Sequence, residues 1–361
     1  MRIQGKNTDS KSGGSSLPVD LIRTSAIVLV ILLHASIEQY PVVSGITSDV
    51  FVRWWSVNIY DSIARPSVPL FVMLSGALLL QPSKVEEPLS VFFKKRFSRI
   101  GLPLLFWGAA YFAWRFFVNH EALTLNSIGE GLIWGPYIHF WFLYMLIGLY
   151  LITPLLRVLV AHANWKLIRY FLLLWLVGTS AVPLLSIFGA YSFDSNVFLL
   201  TGYIGYFLLG LYLLKVRLRP SILYVALALG LVWTIVGTYL ITASIGGNRQ
   251  YFFYDFLSAN VILASVALFL LLSSVQYGKI EKRFPHFNGL LHFISENSLA
   301  IYLFHIMVLE ALQKGYLGIK ISLTTMNPVL EIPLVTVVTL FICLLVLYPL
   351  KKIPVLNKLI G

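Results

Sequence analysis

The ionisable side chains Arg23 and His34 stand inside the first hydrophobic stretch of the chain, LPVDLIRTSAIVLVILLHASI, Leu17 to Ile37. A stretch of this length can cross a bilayer as a helix. Ionisable groups at that depth are costly, and they usually face a bundle interior, find partners and mark a functional path. The two residues are eleven positions apart, about three helical turns, so they share one face about 16 Å apart along the axis. Arginine is suited to hold phosphate. Histidine, with an unperturbed pKa of about 6.5, stays largely neutral near pH 7 and can take a proton from a hydroxyl. Glu38 lies four residues beyond His34 and would orient its ring, as an acid does in a triad, if the helix continues. The plainer alternative is an arginine snorkelling to the headgroups and a histidine near the opposite interface.

A second stretch, FFKKRFSRIGLPLLFW from Phe92 to Trp107, gathers Lys94, Lys95, Arg96 and Arg99 ahead of a hydrophobic run. On a helix Arg96 and Arg99 share a face and could grip one anion together. Basic residues beside a span also set orientation and attract anionic lipid, so basicity alone assigns nothing. Further candidates are His139 and Trp141, Arg65, and Tyr302 with His305 in NSLAIYLFHIMVLEAL. Aromatic and histidine residues at a span end are often interfacial anchors, whereas a mid-span His305 needs a hydrogen-bond partner. Ser75-Gly76 would allow two helices to approach closely. There is no HExxH, no His pair at i,i+4, no Walker A loop and no GxSxG elbow, so no metal, nucleotide-hydrolysis or serine-hydrolase site is expected.

The elements that must position these residues are membrane helices. Apolar residues make up 58% of 361 and charged residues 12%, with 15% aromatic, a composition foreign to soluble domains of this size. The single cysteine, Cys343, excludes a disulfide framework. The expected fold is an all-α integral membrane protein of about ten transmembrane helices, near 17–37, 66–81, 100–118, 139–160, 167–187, 197–214, 220–243, 253–275, 298–313 and 332–350. With the N-terminus inside, the inner segments (1–16, 82–99, 157–169, 215–219, 276–297 and 351–361) hold 20 of the 27 Lys and Arg. That asymmetry places both termini in the cytoplasm, and it reads the +12 formal charge as topology, not nucleic-acid binding. Residues 1–16 are expected to form a disordered cytoplasmic tail, 17–351 one transmembrane domain, and 352–361 a short cytoplasmic tail.

In order along the chain, several short motifs form a set. They are Arg-x10-His (Arg23, His34), R-x-x-V-P-L-F-x-x-x-S-G (Arg65 to Gly76), R-x-x-R before a proline (Arg96, Arg99, Pro103), H-x-W-F-L-Y ending in T-P-L-L (His139 to Leu156), and I-Y-L-F-H (Ile301 to His305). In this the chain resembles the integral-membrane acyltransferase-3 family, the O-acetylases of O-antigen, enterobacterial common antigen and other surface polysaccharides. The resemblance implies transfer of acetyl or another short acyl group from cytoplasmic acyl-CoA to a hydroxyl of a cell-surface or lipid-linked glycan, by a multi-pass protein of the cell membrane. No permanently bound cofactor is implied; acetyl-CoA is the donor substrate. Some members carry a fused extracytoplasmic hydrolase-like domain; none is expected here, so the membrane domain would perform the whole transfer. Lys94, Lys95, Arg96 and Arg99 would meet the nucleotide end of acyl-CoA. The pantetheine arm is comparable in length to the Arg23–His34 separation, so Arg23 would hold phosphate while the thioester reaches His34. Whether His34 is a general base or itself carries the acyl group stays open. Arg65, His139, Trp141, Tyr302 and His305 would form an acceptor or secondary site. A proton-coupled transporter or polysaccharide exporter shares every intramembrane charge, but it does not need R-x-x-R and usually shows paired broken spans in two halves.

Overall fold

A computed structural model describes residues 18–37, 48–181, 183–184, 202–244, 247–276, 278, 282–322 and 325–361. Among the described residues there are helices and connecting turns and no strand. In chain order the helices are α1 (Val19–Ser36), α2 (Ser48–Ala64), α3 (Ser67–Leu79), α4 (Leu89–Arg96), α5 (Leu102–Phe117), α6 (Leu125–Trp134), α7 (Trp141–His162) and α8 (Trp165–Leu176). They continue with α9 (Ile204–Leu213), α10 (Pro220–Ser244), α11 (Ala259–Ser274), α12 (Pro285–Glu296), α13 (Ser298–Lys314), α14 (Pro328–Lys351) and α15 (Pro354–Ile360).

The helices sort their residues for a bilayer. On α14, Leu330, Leu334, Val337, Phe341 and Leu345 face outward at helical spacing, while Glu331, Thr336 and Thr339 are buried. On α10, Gly230, Thr234, Gly237 and Thr238 face inward and Leu229, Val232, Val236 and Leu240 face out. An apolar rim around a more polar interior suits lipid as the surrounding solvent. Among the described residues, seven helices are long and apolar enough to cross a membrane, or eight if the bent pair α12–α13 is one span. The chain is therefore a multi-pass, all-α membrane protein.

The ten expected spans each overlap a helix, but the segmentation differs. Residues 48–64, read from sequence as an outer loop, form α2 and run with α3 as one apolar stretch, Val50–Leu79. The polar residues that masked this helix point inward: Asn58 donates to Ile235 O at 3.0 Å and accepts from Tyr254 Oη at 2.7 Å. Likewise α4 leads into α5, and α6 into α7. Residues 1–16, the expected N-terminal tail, lie outside the described residues. The C-terminal segment 354–360 is a helix, and Trp107 Nε1 of α5 donates to Ile360 O at 3.2 Å.

Helix α1 is the hub, packed against α2, α3, α11, α12, α13 and α14. The α12–α13 pair bends by 77° at Asn297, whose side chain donates to Phe293 O at 2.6 Å. This bend lets α12 meet one end of α1 and α13 the other. Helices α3 and α9 pack backbone to backbone: a Cβ on Gly76 would lie 1.8 Å from Phe207 O, and one on Gly210 1.9 Å from Met73 O. The closeness that Ser75-Gly76 permits is used here.

Candidate functional site

The face shared by Arg23 and His34 looks onto the bent pair. Arg23 Nη1 donates to Ser295 Oγ of α12 at 3.3 Å. One end further on, Nδ1 of His34 stands 3.2 Å from Nε2 of His305 on α13, with ring centroids 5.0 Å apart. His305 is fully buried and His34 half-buried. The ring of His139, fully buried in the turn Ile138–Phe140 before α7, lies 5.7 Å from that of His305. Neither of its nitrogens makes a hydrogen bond of good geometry. Tyr302 donates its hydroxyl to the His139 carbonyl, so three segments far apart in sequence meet at one point.

A cavity of about 280 Å³ approaches this point from the basic side. Its walls include Arg23, Lys84, Arg96 and Arg99, with Phe71 and Ser75 of α3, Tyr150 of α7 and Ser298 of α13. Phe142 and Tyr302 also line it, and the Tyr302 ring is 5.7 Å from that of His305. Tyr302 thus borders both the cavity and the ring of His305. Arg96 stands over the rings of Phe92 and Tyr150, 5.6 Å from each centroid, a cation–π placement that fixes the guanidinium. Between α4 and α5 the turn Phe97–Gly101 is widened, Leu102 N–H bonding Phe97 O five residues back. Wide turns of this kind are frequent at functional sites.

The other sequence candidates divide. Lys94 and Lys95 are exposed and outside the cavity wall, and Lys95 pairs with Glu87 at 2.8 Å. Arg65 is tied to Asp61 and to Tyr254 O at 2.9 Å, and lies over the Tyr254 ring at 4.5 Å. Trp141 stacks on Phe256 at 5.8 Å, and Arg65 reaches the same ring at 5.6 Å. Arg65 and Trp141 therefore form an aromatic–cation cluster apart from the basic cavity. Glu38 lies outside the described residues. Among the described residues, no three His, Cys, Asp or Glu side chains are placed to hold a metal ion.

Sequence reasoning missed Lys84, Tyr150 and Ser298 in the cavity wall, and it missed the latch beneath. Arg157, counted from sequence with the inner-segment charges, is buried in α7. It donates to Leu79 O at 2.8 Å, Lys84 O at 3.1 Å and the Glu87 carboxylate at 2.9 Å. It caps the end of α3 and fixes the 80–88 segment that leads to Arg96. Its placement inside T-P-L-L-R, three residues after the intrahelical Pro154, was the available signal.

A helical, multi-pass membrane protein with a basic cavity leading toward paired histidines fits a membrane group-transfer enzyme. The acyltransferase-3 model, an acyltransferase domain, matches residues 18–348 of the chain, and the chain belongs to that family; it is a membrane acyltransferase. No curated protein and no solved structure matches it significantly.

Proposed function

We propose that this protein moves an acetyl or other short acyl group from cytoplasmic acyl-CoA to a hydroxyl of a cell-surface or lipid-linked glycan. The observation that carries this reading is the cavity with Arg23, Lys84, Arg96 and Arg99 in its wall and Tyr302, beside the His34–His305 pair, at its far end. The anionic nucleotide end of the donor suits the basic groups, with the arginines offering bidentate donors. The thioester arm then points past Tyr302 toward His34. There His34 takes the acceptor hydroxyl proton as the oxygen attacks the thioester carbonyl. The new C–O bond forms, the C–S bond breaks, and the departing thiolate receives the proton from His34. General-base assistance of this kind is worth about 10²–10⁴-fold. The aromatic cluster of Arg65, Trp141 and Phe256 is assigned to the acceptor side. Both termini are placed in the cytoplasm, as the charge asymmetry of the connecting segments demands.

The test uses membranes from cells expressing the protein, supplied with acetyl-CoA radiolabelled in the acetyl group. Label should enter the surface polysaccharide fraction with stoichiometric release of free CoA thiol, and neither should occur with His34→Ala. Thiol release and labelling no greater than in membranes lacking the protein would refute the reading.

A further inference from the structure

We infer that His305 is the positioning residue for His34, accepting from its Nδ1–H and holding its ring through transfer. The chemical consequence rests on the proposed acyl transfer; the tautomer rests on geometry alone. A carbonyl oxygen only accepts, so Nδ1 of His305, 2.6 Å from Tyr302 O, carries the ring hydrogen. A neutral imidazole has one N–H, which makes Nε2 of His305 a bare acceptor. Nδ1 of His34 lies 3.2 Å from that acceptor and 2.9 Å from Val30 O, so it too carries its hydrogen. The N–H of His34 is shared between the two. Nε2 of His34 is left as the lone-pair nitrogen, the one able to take a proton.

Exposure separates the two roles. His305 is 0% exposed and both its nitrogens are engaged, so it acts through His34 and not on the substrate. His139 and Tyr302 pack against its ring at 5.7 Å each. When Nε2 of His34 takes the hydroxyl proton, the ring becomes a cation and its Nδ1–H becomes a charge-assisted donor to His305. The Val30 carbonyl cannot replace this acceptor fully, because it already receives the helical N–H four residues on. His305 thus does for His34 what a carboxylate does in a triad. It does so without placing a buried charge in the span, where charge is expensive.

The test has a spectroscopic and a kinetic arm, both on the full chain in lipid nanodiscs. In the first, ring-¹⁵N histidine spectra of the wild type, assigned with His34→Gln and His305→Gln, should show both residues as neutral Nδ1–H tautomers. In the second, acetyl transfer from acetyl-CoA is compared in His305→Leu and His305→Gln at equal folded yield. The Leu variant should lose roughly 10–10²-fold in kcat with KM for acetyl-CoA unchanged, less than a lost base costs because Val30 still holds the tautomer. The Gln variant, whose Oε1 can accept where Nε2 did, should recover most of that loss. A wild-type His34 found as the Nε2–H tautomer would overturn the inference even if transfer proceeds. So would Leu and Gln variants of equal activity. If no acyl transfer occurs, the tautomer spectra still decide whether Nδ1 of His34 carries the hydrogen that faces His305, and only the reaction falls.

Discussion

The Tyr302 hydroxyl bonds the backbone carbonyl of His139, joining α13 to the turn that opens α7. Because Tyr302 also lines the basic cavity, this bond closes the cavity's inner end beside the histidines. Tyr302→Phe should keep the wall and lose the bond at a cost of about 0.5–1.5 kcal/mol in stability, because the His139 carbonyl still accepts the Trp141 N–H. Tyr302→Ala should instead lengthen the cavity. In that variant, activity with butyryl- and hexanoyl-CoA relative to acetyl-CoA should rise at least several-fold. A chain-length profile equal to the wild type's would show that Tyr302 does not limit the acyl group.

His34 carries the proposed chemistry, so its removal should separate binding from transfer. His34→Ala and His34→Gln should insert normally and bind acyl-CoA as the wild type does, because the basic wall is about 16 Å away along α1. Transfer should fall by about 10²–10⁴-fold in both, since the amide keeps a hydrogen bond but relays no proton. The measurement is acylated surface glycan in a deletion strain complemented at matched membrane abundance. Near-normal acylation by His34→Ala would remove this residue from the reaction.

What was legible in the sequence was whatever a single helix displays. The common face of Arg23 and His34, the R-x-x-R pair and the close approach at Ser75-Gly76 all follow from local spacing and residue size. The His34–His305 contact joins positions 271 residues apart, which no periodicity reports. α2 was hidden because its polar residues, Asn58 and Asp61 among them, face inward, the reverse of the pattern that marks a soluble helix. Arg157 looked like a topological charge and is a buried latch, since side-chain burial inside α7 depends on where α3 ends.

The basic cluster should divide by whether a side chain lines the cavity. Arg96→Ala with Arg99→Ala should raise KM for acetyl-CoA by 10-fold or more while the protein stays folded, and Lys at both positions should rescue only in part because a point charge lacks the bidentate fork. Lys94→Ala with Lys95→Ala should leave KM within about 2-fold, as neither lines the wall. Equal effects from the two pairs would mean that the cluster acts as undifferentiated surface charge.

The latch under the cavity should respond to acid. The hydrogen bond from Lys95, seconded by Arg157, holds the Glu87 carboxyl below the usual carboxylate range. A depressed carboxylate contributes stability that is fully present above its unfolded pKa of about 4.3 and is lost as pH falls through the folded value. Glu87→Gln should therefore lower the thermal midpoint at pH 7, and its gap from the wild type should narrow below about pH 4. A gap that stays constant from pH 7 to 3.5 would exclude Glu87 ionisation as its cause.

The α3–α9 contact offers the sharpest test of the packing that frames the cavity. Substituting Ala at Gly76 or Gly210 places a methyl group within 2.0 Å of a backbone oxygen, where contacts under 3.0 Å force a shift. Neither side can yield by turning a side chain. Gly76→Ala should therefore cost at least the ~1–3 kcal/mol typical of overpacking, and so should Gly210→Ala. Once either methyl has parted the helices, the second should cost less, so the double variant should be less destabilised than the two singles added together. Phe71, Leu74, Ser75, Leu78 and Leu79 of α3 all line the cavity, so any surviving protein should also bind acetyl-CoA more weakly. Gly148→Ala on α7 is the control, with open space around its position and a gain of up to about 1 kcal/mol from helix propensity. Thermal midpoints in one detergent compare the set, and a Gly76→Ala protein as stable as Gly148→Ala would show that α3 and α9 do not meet at this distance.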